Sequence, residues 1–459
     1  MPTTIDSAVL LDDLRLAIRG RVIGPDDADY DAARALMYGG LDPRPEAIVR
    51  VADARDIAAV IATARKRELP LSVRSGGHSV TGLSVVDGGI VIDVRDLTEI
   101  ELDLEGRTAW AGSGLTAVDF SKAISGHGLA VGFGDTGSVG LGGITLGGGA
   151  GYLLRKFGLT IDSLLAAEIV TADGEILTVD ASSHPDLFWA IRGGGGNFGV
   201  ATKFRFRLSE VPHFTGGLLV LPATAETVAR FVAESEAAPA SVTTIANVMP
   251  CPPMPGLEAH EGEVVIFALM AVADDDAAAE QALAPFRGLA TPIADFVKPI
   301  PYHEIYPPED DDYHPLAVSK NLFVEAIDLS IAKGIMERLD RSDASLRAAQ
   351  IRVHGGACAQ VPNDATAFAH RDRRIMVNIA CFYEDDEDKP RRQAWVDEFA
   401  TWLSGGDQAA YVNFLLDEGP ERTRAAYPGA TWDRLREIKA RYDPTNLFDG
   451  NQNIPPAGG

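Results

Sequence analysis

The residue best placed to do chemistry is His78. In Arg74-Ser75-Gly76-Gly77-His78-Ser79 an imidazole sits on a tight turn beside two glycines, where it can point directly at a ligand. Three more Gly-rich or amide-rich stretches lie near residues 132–151, 193–199 and 446–453. Backbone amides in such stretches can hold a diphosphate without net positive charge. The dinucleotide fingerprint of a Rossmann fold is missing, because Gly140-Leu141-Gly142-Gly143-Ile144-Thr145 ends in Thr where that turn needs a glycine. There is no Gly-Lys-Ser/Thr phosphate loop, and Gly77-His78-Ser79-Val80-Thr81 lacks the final Gly of a nucleophile elbow. The nine histidines contain no HExxH pair. Cys251, Cys358 and Cys381 form no CxxC, so buried thiols are expected rather than a zinc cage or a disulfide framework, and no metal is expected.

These residues need a scaffold. Asp53 is placed to cap a helix whose Ile57, Val60, Ile61 and Ala64 recur at helical spacing, and a strand at Leu71–Val73 leads into the His78 turn. Ile90–Val94 reads as a buried strand, residues 100–102 and 108–110 as a hairpin about Gly106, and Thr116 with Asp119 as the start of a helix ending near Gly128. Ten glycines fall within residues 132–151, interleaved with Val131, Phe133, Val139, Leu141, Ile144 and Leu146, so the tract reads as close backbone approach in a packed structure rather than a linker. Strands at 164–171 and 176–179 join through Asp173-Gly174, and Phe204, Phe206 and Leu208 alternate with Lys203, Arg205 and Arg207. From about Pro212 to Gly406 the pattern changes to longer elements. Helices are expected at 225–236, 277–286, 332–339 and 391–403, with strands at 264–272, 351–354 and 375–382, a sheet covered by helices. A helix at 431–442 stops at Pro444.

The 459 residues are 46% hydrophobic and 23% charged, the balance of a globular protein with two or three domains. With 41 Lys plus Arg against 66 Asp plus Glu, the net charge of −25 argues against nucleic acid and anionic membranes as partners. The longest apolar run, residues 264–273, falls short of the roughly 20 residues a membrane helix needs. Asp6, Asp12 and Asp13 stand where a signal peptide needs cations, so a cytoplasmic protein is expected.

Taken together, Arg74-Ser75-Gly76-Gly77-His78, the tract running from Gly147-Gly148-Gly149-Ala150-Gly151 to Leu159, Arg192-Gly193-Gly194-Gly195-Gly196-Asn197-Phe198-Gly199, and Tyr442-Asp443-Pro444-Thr445-Asn446-Leu447-Phe448 with Asn451-Gln452-Asn453 resemble the berberine-bridge-enzyme-like flavin oxidases of the vanillyl-alcohol-oxidase superfamily. The resemblance implies an α+β architecture. A bipartite FAD domain would take residues 1–212 and 407–459, and a substrate domain with a helix-covered sheet would take 213–406. It implies that His78 carries the flavin covalently. Arg74 and the amides of Ser75, Gly76, Gly77 and Ser79, and those of Thr136, Gly137, Ser138, Gly140, Gly142 and Gly143, would cradle the diphosphate. Gly199 and Val200 would lie near the adenine, while Asn413, Asn451 and Asn453 would fix the isoalloxazine.

Two departures from the family pattern bear on mechanism. Thr136 stands where many relatives use a Cys for a second flavin bond, so one covalent link through His78 is expected, as in the bacterial subgroup resembling 6-hydroxy-D-nicotine oxidase. Ala150 stands where plant alcohol oxidases often place a Tyr. The resemblance further implies that Asn378 occupies the position of a Gln or Glu facing the flavin, that Tyr411 is the better proton acceptor, and that Val139 leaves room for O2. The expected activity is oxidation at a carbon bearing an amine or hydroxyl, with hydride passing to flavin and O2 reduced to H2O2, in a monomer or homodimer acting on a small molecule. A sugar or other alcohol oxidase, and a flavin-binding protein without turnover, are the alternatives.

Overall fold

The computed structural model describes residues 7–308, 310 and 312–458; Asp6 of the acidic N-terminal stretch lies outside them. The His78 turn sits at the end of a parallel strand. Helix Ala54–Arg67 starts at Asp53, whose carboxylate accepts the N–H groups of Arg55 and Asp56, and it buries Ile57, Val60, Ile61 and Ala64. It connects strand Ala47–Arg50 to strand Leu71–Arg74, and both pair in parallel with Ile90–Asp93. Arg21–Ile23 completes this four-stranded sheet. Ile90–Asp93 is buried throughout, as a parallel strand covered on both faces must be.

A second, five-stranded antiparallel sheet is centred on Val200–Arg207, flanked by Thr108–Gly112 and Leu164–Val170. Its alternation appears as expected, with Phe204 and Phe206 buried and Arg205 and Arg207 exposed. Phe206 packs against Phe120 and Phe133. The hairpin Ile100–Asp103 to Thr108–Gly112 forms, but the residue with positive φ is Arg107 (48°) rather than Gly106. Gly174 takes φ 85° in the other hairpin.

The third sheet has eight strands, all between residues 215 and 382. Helices Ala225–Ala237, Asp276–Arg287, Leu329–Arg341 and Lys389–Ser404 cover one face through a shared core that includes Phe231, Leu283, Ile335, Phe399, Ile351 and Val377. On the other face Asn247, Gln350, Asn378 and Asn321 stand opposite one another on four adjacent strands. Strands Thr215–Pro222, Val242–Pro250 and Ala317–Val324 were not legible in the sequence, because Gly216-Gly217, Thr243-Thr244 and Ser319-Lys320-Asn321 interrupt their apolar pattern and only pairing with distant strands makes them extended. The glycine tract likewise holds a short helix, Leu141–Gly147, that composition opposes. All three cysteines are free and buried. Among the described residues, no helix is long and apolar enough to cross a membrane.

Candidate active site

A cavity of about 330 Å³ runs between the parallel sheet, the glycine tract and the C-terminal segment. Ser75, Gly76, Gly77, His78 and Ser79 form one wall. Thr136, Val139, Gly140, Gly142 and Gly143 form the wall facing it. Gly199, Val200, Tyr411, Asn413 and Asn451 also belong to the lining. The two walls touch where glycine alone fits: a Cβ on Gly76 would stand 2.3 Å from the amide nitrogen of Gly140.

The donor chemistry fits a dinucleotide held by amides. Among the described residues, the N–H groups of Gly76, Gly77 and Ser79 donate to no protein acceptor, no Lys or Arg lines the cavity, and the Oδ1 of Asn451 is buried without a partner. His78 stands beside Ser138, with Nε2 and Oγ 2.8 Å apart. Ser138 itself is not part of the lining.

Five of the expected residues stand off the cavity wall. Arg74 donates instead to the carbonyls of Ala33 and Ala35 at the end of helix Tyr30–Arg34, a position buried enough to lower its pKa to about 10. The carbonyl of Gly137 accepts from Val118, and Ser138 supports His78. Asn453 has a buried, unpartnered Oδ1 but does not line the cavity. Asn378 sits on the interior strand Ile375–Phe382, its Oδ1 buried and unpartnered. The segment around Tyr411 is anchored on that sheet by the bond from Tyr411 N–H to Asn321 Oδ1 (2.8 Å), and so presents Tyr411, Asn413 and Phe414 at the cavity instead.

Tyr411 is fully enclosed, and its hydroxyl oxygen accepts from the amide of Gly149 and from Asn413 Nδ2, each at 2.8 Å. With both lone pairs occupied, the remaining role of this hydroxyl is to donate. Burial pushes its pKa up to about 12, so it is a neutral donor at neutral pH rather than a ready base. Asn413 packs so tightly on Gly147 that a Cβ there would meet its Oδ1 at 1.8 Å.

Sequence reading missed several residues that build the site. Lys439 and Asp443 form a wholly buried pair at 2.7 Å, and Lys439 also donates to the carbonyls of Asn197 and Phe448. Asn197 in turn accepts from Ile454 N–H and donates to the Gln452 carbonyl. This knot ties the C-terminal segment to residues 194–197 and thereby places Asn451. The i,i+4 spacing of Lys439 and Asp443 was its one visible signal. Asp135, Tyr38 and Phe414 also line the cavity, and nothing in their neighbouring sequence announces it.

The profile of the FAD binding domain matches residues 45–180, and that of the berberine and berberine-like family matches 410–455. Fold and site thus define an FAD-linked oxidoreductase. The FAD-linked oxidoreductase YvdP of Bacillus subtilis, itself uncharacterized, is 32% identical over 454 residues, covering 96% of this chain and 99% of that one. (R)-6-hydroxynicotine oxidase of Paenarthrobacter nicotinovorans is 29% identical over 463 residues, covering 96% and 98%. The crystal structure of 6-hydroxy-D-nicotine oxidase from Arthrobacter nicotinovorans superposes with a TM-score of 0.83 at 27% identity, covering 96% and 98% of the two chains. The chain belongs to the berberine-bridge-enzyme-like family of FAD-linked oxidoreductases.

Proposed function

We propose that this enzyme is an oxidase of small molecules that carries FAD on His78 alone, in an FAD unit formed by residues 1–212 and 407–459 around a substrate unit at 213–406. The carrying observation is His78 in the lining of a cavity that also holds Thr136, Val139, Gly140, Gly142, Gly143, Tyr411 and Asn413. FAD held there supplies the acceptor for a hydride from a carbon bearing an amine or hydroxyl, and O2 then takes the two electrons and two protons as H2O2.

The protein's own groups have defined tasks in this reading. The free amides of Gly76, Gly77 and Ser79 bind phosphate oxygens, and Ser138 orients the His78 ring. Tyr411 donates its proton in a hydrogen bond toward the reacting end, its oxygen already fixed by Gly149 and Asn413. Tyr411 being a donor and Ala150 apolar, neither supplies a base, which favours a substrate whose heteroatom loses its proton easily.

The test is acid precipitation of the purified protein. Yellow colour retained in the pellet, and released by His78→Ala, supports the attachment; free FAD in the supernatant of the unmutated protein rejects it. An anaerobic screen of amines, sugars and hydroxy acids for flavin bleaching then separates an oxidase from a binding protein without turnover.

A further inference from the structure

Among the described residues, Asp135 is the one carboxylate in the cavity lining, and it immediately precedes Thr136. Its Oδ2 is taken by Arg352 Nη2 at 2.5 Å, while Oδ1 has no hydrogen bond among the described residues. Arg352 spends its remaining donors inside the protein. Nε and Nη2 reach Gln350 Oε1 at 3.0 and 2.7 Å, and Nη1 reaches the Ala150 carbonyl at 3.1 Å. The guanidinium lies over the Phe414 ring, 5.0 Å from its centre, and only 6% of its side chain is exposed. Arg352 does not itself line the cavity.

The arrangement is therefore an ion pair with one open acceptor. Its positive member is buried behind the wall with each of its nitrogens bonded, and its negative member stands in a lining that also holds the rings of Tyr38 and Phe414, with Oδ1 left for a ligand. A neutral O–H or N–H donor gains a charge-assisted bond there at little desolvation cost. An ammonium must shed its water against a carboxylate whose charge is already cancelled, and gains less. We propose that Asp135 selects the substrate by accepting a hydrogen bond from an uncharged donor on a small flat molecule, with Arg352 as the positioning residue that keeps this site neutral. This rests on reading the cavity as the flavin and substrate site.

The experiment titrates the flavin-loaded protein anaerobically with benzyl alcohol and with benzylamine, which share a shape and differ in charge at neutral pH. The readout is the concentration giving half of the flavin spectral change, whether a shift or bleaching. The unmutated protein responds at lower benzyl alcohol than benzylamine. Asp135→Asn raises the benzyl alcohol requirement about tenfold, the loss expected for one hydrogen bond to a charged acceptor. Arg352→Met leaves Asp135 uncompensated and reverses the order of the two probes, a result that loosened packing alone does not produce. If Arg352→Met does not fold, Asp135→Asn and the unmutated protein decide between them. The proposal is overturned if the unmutated protein prefers benzylamine, if Asp135→Asn responds as the unmutated protein does, or if neither probe perturbs the unmutated flavin. Failure of the flavin reading itself is seen earlier and separately, as a colourless protein before any probe is added.

Discussion

Acid stability offers a quantitative check on how the large sheet meets the glycine tract. His354 and His370 are 2% and 3% exposed, and both ring nitrogens of His354 and Nε2 of His370 lack a partner. Both rings pack on Phe323, at 5.8 and 5.2 Å between centroids, and the His354 carbonyl accepts from Arg155. Burial, reinforced by Arg352 and Arg155, lowers the pKa of His354 to about 3; burial, reinforced by Arg373, lowers that of His370 to about 4. The unfolded chain binds these protons near pH 6.5 and the folded one does not, so the stability is complete above that pH and is lost as pH falls. Each ring contributes about 1.4 kcal/mol per pH unit, so a shift from pH 6.5 to 5 costs about 2 kcal/mol per histidine and about 4 for both. Carboxylates also titrate as pH falls, which makes the difference between proteins the useful quantity. Urea denaturation at pH 7 and pH 5 is expected to show a smaller acid loss in His354→Leu than in the unmutated protein by about 2 kcal/mol, and in the His354→Leu/His370→Leu double variant by about 4. Parallel pH profiles for the three proteins would refute the reasoning, whatever their absolute stabilities.

Removal of the buried Lys439 ammonium in Lys439→Met leaves Asp443 uncompensated and is expected to cost about 3–5 kcal/mol, read as a lower denaturation midpoint, with loss of FAD retention as the C-terminal segment loosens. Tyr411→Phe deletes one hydroxyl and orphans the Gly149 amide; slower anaerobic flavin reduction with unchanged reoxidation is the expected outcome, and equal reduction rates across pH would make Tyr411 a packing residue. Val139→Leu adds bulk on the cavity wall and is expected to slow reoxidation by O2 in rapid mixing while leaving reduction nearly unchanged, once intact folding and flavin content are shown.

The chemistry-bearing turn and most local elements were readable in the sequence because their causes are local. Asp53 and its helix, the Asp173-Gly174 hairpin and the Phe204/Phe206 alternation each depend on neighbours within a few residues. Glycine placement was readable too, since the approach of Gly76 to Gly140 tolerates no side chain. Tertiary structure alone decided which side chains reach the cavity. Arg74 adjoins the His78 turn yet serves a helix end, and Asn378 sits on a strand expected to face the flavin yet stands off the cavity wall. Asp135 and Arg352 lie 217 residues apart, and no local periodicity records such a partner. Their pairing follows from how the eight-stranded sheet seats on the glycine tract, where a buried charge must find its counter-charge wherever the fold supplies one.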